Sequence, residues 1–169
     1  MSRRPRLRRA FTLIEASLAI IIVGTGCVAA AELFGAVTQS NREARRLTVA
    51  SGLARHLEES MAHLPYDDPI TRGANFGAEP DESSLAAFDD LDDFHGLDTA
   101  DLGAPVDALR LAIPELSQYS QRVTVTRVDG RSLAEPGTGA LRVDVVVLWQ
   151  PNAATEAREV TRTSWYRTP

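Results

Sequence analysis

Two sets of acidic residues have the types and spacing to do chemistry. The first is a single residue. Glu15 is the only charge between Phe11 and Ala31, a run of 21 otherwise apolar or small residues. A carboxylate at membrane depth costs about 2.5–3.5 kcal/mol even on lenient insertion scales, and such residues are by default functional and paired. Glu15 therefore needs a partner. The second set is Asp89, Asp90, Asp92 and Asp93, in the segment Phe88-Asp89-Asp90-Leu91-Asp92-Asp93-Phe94-His95-Gly96-Leu97. Two readings of it stand side by side. Phe88, Leu91, Phe94 and Leu97 recur every third residue, which would pin a turn of helix or 3₁₀ to a core and leave the aspartates in water. Alternatively, the four aspartates supply hard oxygen ligands to Ca²⁺, although not with the alternate-position spacing of an EF-hand loop.

Enzyme chemistry finds no support in the sequence. No Ser/His/Asp set stands in motif context, no Gly-rich phosphate loop follows a strand, and no metal cluster has ligand spacing. His56 and His63 are seven residues apart, too far for a shared ligand pair, and His95 reads as a surface or turn residue. No organic cofactor is expected. Charge divides unevenly along the 169 residues: residues 1–10 carry five of the 18 Arg and no acid, and all 23 acids lie beyond. The basic tip reads as cytoplasmic by the positive-inside bias. The acidic body argues against nucleic acid as a partner, because phosphate binding needs basic surface. Cys27 is the only cysteine, so no disulfide can form within one chain. It reads as a small buried hydrophobe. Acylation at Gly24-Thr25-Gly26-Cys27 and secretory cleavage near Val28-Ala29-Ala30 are rival processing routes.

The elements that position these residues follow from periodicity. Phe11–Ala31 at 1.5 Å per residue spans about 31 Å, enough for the hydrocarbon core of a bilayer. Gly24 and Gly26 lower its helix propensity locally. Beyond it, Leu53, Leu57, Met61 and Leu64 fall on one face of a 3.6-residue period, and Pro65 stops the ladder. The expectation is one helix from Phe11 to about Leu64, with a membrane half (11–36) and an amphipathic half (37–64). Residues 65–118 form an acidic connecting region: from Asp67 to Asp107 there are twelve acids and one Arg, Arg72. Within it, 104–114 reads as either a short helix or an extended connector. Three β-branched stretches follow, 121–128, 141–149 and 159–166. The first two are separated by a Gly/Pro-marked hairpin loop, and the second, with its apolar run, takes the central place. The fold class is α+β: a long N-terminal helix on a small antiparallel meander of three or four strands in residues 119–169. The apolar face of the meander covers the Leu53–Leu64 stripe. Trp149 and Trp165 read as core or edge packing.

Phe11-Thr12-Leu13-Ile14-Glu15 after a short Arg-rich leader resembles the N-terminus of type IV prepilins and of the pseudopilins of type II secretion. The aspartate segment resembles one common in minor pilins of the mannose-sensitive haemagglutinin and type IV pilus modification types. The resemblance implies cleavage by a prepilin peptidase between Ala10 and Phe11, followed by N-methylation of Phe11. Ala10 stands where the family usually has Gly, and is its nearest steric substitute. The resemblance also implies that Glu15 of one subunit pairs with the Phe11 ammonium of its neighbour. Removing one partner of a buried ion pair costs about 3–5 kcal/mol, so Glu15 would set the axial register of assembly.

The function implied is that of a structural subunit of a type IV pilus-like filament. A minor subunit is expected from Ala10, the aspartate segment and the lack of a Cys pair near the C-terminus. The alternatives are a minor pseudopilin of a type II secretion system and a single-pass anchored periplasmic domain that never polymerises. The partners implied are prepilin peptidase, other pilin or pseudopilin subunits and an inner-membrane assembly platform. The location implied is the inner membrane, N-terminus cytoplasmic and C-terminal domain periplasmic, and then the filament.

Overall fold

A helix that starts apolar all round and ends with one apolar stripe sets the architecture. In the computed structural model, which describes residues 12–68 and 76–169, that helix is α1, Leu13–Met61. It runs unbroken through Gly24 and Gly26. It stops three residues short of the expected Leu64: Leu64 lies in the turn that follows, its N–H donating to the Met61 carbonyl, because the residue before a proline is pushed out of the helical region. The chain divides into two units, Met1–Ala44 and Arg45–Pro169.

In the described part of the first unit, the large apolar side chains of α1 are exposed, Leu13, Ile14, Leu18 and Ile20 among them. Its hydroxyls turn inward onto their own backbone. Ser17 donates to the Leu13 carbonyl, Thr25 to those of Ile21 and Ile22, and Thr38 to that of Phe34. Such back-bonding satisfies these three hydroxyls without a partner from outside the helix. α1 is the one helix, among the described residues, that is long and apolar enough to cross a membrane.

The second unit is α+β, as expected. β1 (Tyr119–Asp129), β2 (Gly139–Trp149) and β3 (Arg158–Arg167) form an antiparallel meander in the order β1-β2-β3, with β2 central. Val123 opposes Val145 and Val125 opposes Val143, so these four valines share one face. That face packs against Ala50, Leu53, Ala54, Leu57 and Met61 of α1, and Trp149 and Trp165 pack half-buried at its margin. Arg46 lies over the Trp149 ring at 3.9 Å from its centroid.

One polar side chain sits on the inner face. Gln121 is fully buried and fully used. Its Nε2 donates to the carbonyls of Leu53 (2.8 Å) and Val106 (3.1 Å), its Oε1 accepts the Val106 N–H (2.7 Å), and its own N–H donates to Thr99 Oγ1 (2.8 Å). One amide thus ties helix, strand and connecting region together, at no unsatisfied cost.

The 130–138 hairpin loop folds back on the sheet. A Cβ on Gly137 would stand 1.9 Å from the Asp129 nitrogen, so only glycine fits there. Val128 and Ala140, opposed across β1 and β2, are fully buried at this end, while Arg127 is exposed; here the strand's alternation breaks.

Candidate functional site: the helix tip and the acidic segment

Ala10 and Phe11, the residues of the expected cleavage, lie outside the described residues. Thr12 and Glu15 lie within them, and the structure brings them together. Thr12 precedes the first helical residue and Glu15 is the third residue of α1. The Glu15 N–H donates to Thr12 Oγ1 at 3.3 Å, and Glu15 Oε2 accepts both the Thr12 N–H at 3.2 Å and the Thr12 hydroxyl at 3.1 Å. This reciprocal pattern is a capping box, in which a Thr and a Glu three residues apart satisfy each other's orphan donors. The carboxylate also lies at the positive end of the helix dipole. Sequence reasoning assigned Glu15 a partner outside its own chain and passed over Thr12. The signal was there in Thr12-Leu13-Ile14-Glu15, the Thr-x-x-Glu spacing that opens a helix.

The acidic segment is anchored rather than solvated. Leu91 and Phe94 are buried around the 3₁₀ turn Asp92–Phe94, as the three-residue spacing predicts. The expectation that the aspartates stay in water is corrected: Asp90, Asp92 and Asp93 are 2–4 % exposed. They are buried because they cap backbone donors. Asp90 Oδ1 accepts the N–H groups of Asp92 and Asp93 at 2.8 and 3.2 Å. Asp93 Oδ2 accepts those of Asp89 and Asp90 at 2.8 and 3.0 Å. Asp92 Oδ2 accepts that of Gly77 at 2.9 Å.

Of the four aspartates weighed as calcium ligands, Asp93 alone belongs to the set whose oxygens converge. That set is Glu79, Glu82 and Asp93, with carboxylate oxygens within 4.8 Å of one another. The two glutamates were not anticipated; their i, i+3 spacing in a turn was the available signal. Asp89 contributes a buried Oδ1 with no partner among the described residues. Hard oxygens suit Ca²⁺, which takes six to eight of them, so three carboxylates would hold the ion with water completing its shell.

Crowding raises the proton affinity of this region. Burial, with hydrogen bonds to Glu79 and Asp93, pushes the Glu82 carboxyl up to about 7. Burial, then the charges of Asp92 and Asp93, pushes Asp90 up to about 8. Asp89 is raised by burial and then by the charges of Asp68 and Asp93. Arg110 holds the segment from outside. Its Nη1 donates to the carbonyls of Leu85 (2.8 Å) and Phe88 (2.6 Å), and its guanidinium lies 5.1 Å from the Phe94 ring centroid. It does so from a backbone with φ of 63°.

The 104–114 stretch is neither the helix nor the extended connector weighed from the sequence. It turns tightly back on itself, closed by the Val106–Ala112 bridge and by the Ile113 N–H to the Pro105 carbonyl at 2.7 Å. Segment 95–99 then covers the outer edge of β1: Gly96 and Thr99 donate to Val123 and Gln121, Val123 donates to Leu97, and His95 Nδ1 accepts the Val125 N–H. His95 is exposed, as expected of a turn residue.

No family model, no curated protein and no solved structure matches the chain.

Proposed function

We propose that the chain is a minor structural subunit of a type IV pilus-like filament. It inserts in the inner membrane with its body in the periplasm, is cut between Ala10 and Phe11 by a prepilin peptidase, and assembles through α1. Its partners are other pilin or pseudopilin subunits and an inner-membrane assembly platform. The observation that carries this reading is the helix tip. α1 begins with a lone carboxylate, Glu15, on a stretch whose large apolar side chains are exposed. A plain anchor would use the acid only as a helix cap, at the cost of holding a carboxylate at membrane depth. A helix that leaves lipid for a bundle of like helices has a further use for it, since the acid can neutralise a neighbour's new N-terminal ammonium. The covered stripe at Ala50–Met61 supports the same division of labour, with the packed end of α1 carrying the body and the bare end left for assembly.

A minor pseudopilin of type II secretion would use the same parts. The machine is distinguished by retraction-ATPase genes beside this one, which accompany a pilus. A single-pass anchored domain that never polymerises is the reading from a different class.

Mass spectrometry of the N-terminus, on protein purified from its own membrane, tests the processing step. The expected chain begins at Phe11 with a methylated amine. An intact N-terminus refutes processing and leaves the anchored domain. A start after Ala29 or Ala30 identifies a secreted domain, and an acylated Cys27 a lipoprotein.

A further inference from the structure

The two edges of the sheet are finished differently. At the β1 edge the chain supplies its own cover: Gly96 and Thr99 donate to the carbonyls of Val123 and Gln121, and the Val123 N–H donates back to the Leu97 carbonyl. Gln121 and Val123 thus turn their backbone groups away from β2. In an antiparallel ladder the residues between them do the bonding, so Arg122, Thr124 and Thr126 exchange hydrogen bonds with Val146, Asp144 and Arg142. Val143, Val145 and Val147 are left to bond Trp165, Thr163 and Thr161 of β3. By the same alternation Arg162, Ser164 and Tyr166 aim their N–H and C=O groups at the outer edge of β3. Among the described residues no strand pairs with that edge and no backbone group bonds to it. We propose that the outer edge of β3 is a docking site for an extended strand of a partner protein, apolar on the face that continues the core and acidic on the other.

Three features select that occupant. A row of outward N–H and C=O groups is a template for another strand's backbone, which alone matches its spacing along the whole edge. The core is also open on this side. Val143, Val145 and Val147 are 0 % exposed, whereas their β3 partners Trp165, Thr163 and Thr161 are only half-buried, and Trp165 and Val160 pack at the core's margin. A fourth strand would close that margin with every second side chain. The other face sets the charge. β3 carries Arg158, Arg162 and Arg167 against one acid, Glu159. Arg162 is exposed and pairs with Glu159, also exposed, and a surface pair of this kind is weak enough to yield to a well-placed carboxylate. A second copy of β3 would bring three more arginines against these three, so like charges oppose self-pairing and favour a strand that carries acids. This surface uses neither the exposed stretch of α1 nor its processing, and stands apart from the filament reading.

The test uses the detergent-solubilised full chain and a synthetic peptide of the length of β3, 10 residues, that alternates valine and glutamate. Amide hydrogen exchange, resolved by residue with NMR, is the readout. With the peptide at about ten times the midpoint of its titration, exchange at Arg162, Ser164 and Tyr166 should slow roughly tenfold. Thr161, Thr163 and Trp165, already bonded to β2, should change little. The same peptide with lysine in place of glutamate should protect the three amides far less. A peptide N-methylated on alternate residues, which strips the N–H groups from its bonding edge, should not protect them. Ser164→Pro removes an N–H that faces away from the β2 ladder, a place where an edge strand tolerates proline. It should abolish the protection, while Ser164→Ala, which loses only the hydroxyl's bond to Asp144, should keep it. Unchanged exchange at the three amides up to millimolar peptide overturns the proposal. Equal protection by the lysine peptide, or protection that survives N-methylation, overturns it too, since the edge would then read neither charge nor backbone. The peptide comparisons need only the wild-type chain, so they decide the matter even where Ser164→Pro fails to fold.

Discussion

The two ends of α1 obey different rules. At one end Leu13 is 89 % exposed; at the other Leu57 is 0 % exposed. Polar groups at the first end are satisfied from within the helix, by the capping box and by hydroxyls bonded one turn back. At the second they are satisfied across elements, by Gln121 joining α1 to β1 and to Val106. The first strategy suits a surrounding that offers no hydrogen bonds. The second suits a core whose parts must be fixed against each other. One helix thus leaves its apolar side chains exposed within one unit and packs them against a sheet within the other.

That contrast is sharpest in stability. Leu57→Ala should destabilise the body by about 2–5 kcal/mol, the usual cost of a large-to-small change in a closed core. Leu18→Ala, the same chemistry 39 positions earlier in α1, should leave the body's unfolding midpoint where it is. Urea unfolding of the detergent-solubilised chain, followed by near-UV circular dichroism, reads both. Equal losses would mean that the exposed end also packs on the body.

A smaller effect concerns the acidic segment. Glu82 and Asp90 hold their protons to about pH 7 and about pH 8, above the ordinary 4.5 and 3.8. Both folded-state values are raised, so their contribution to stability is complete below the unfolded values and is lost as pH rises through the folded ones. The chain should unfold at lower urea at pH 9 than at pH 5. Glu82→Gln should flatten the part of that fall centred near pH 7. A slope unchanged in Glu82→Gln would place the titration elsewhere.

The elements were readable where period alone decides. The Leu53–Met61 stripe and the β-branched alternation of 121–128 and 141–149 identified the helix face, the three strands and the central place of β2. Register and edge cover were not readable, because they depend on Gln121, on the 95–99 segment and on a hairpin loop that only Gly137 lets close. The acidic segment misled for a physical reason. Composition counts charges but does not show where they point, and an aspartate two to four residues from a bare N–H can bury itself by capping it. Likewise Arg110 takes its φ of 63° together with carbonyls 22 and 25 residues away, a cause no local window contains. At the helix tip, Glu15 was legible as an anomaly, whereas Thr12 required reading the same four residues as a cap.

The most direct test of the central claim is the filament share of a Glu15→Ala chain, measured beside its membrane content and its body stability. The account predicts normal insertion, an unchanged unfolding midpoint and loss of incorporation. Incorporation equal to wild type would contradict it, and would return Glu15 to the role of a helix cap on a simple anchor.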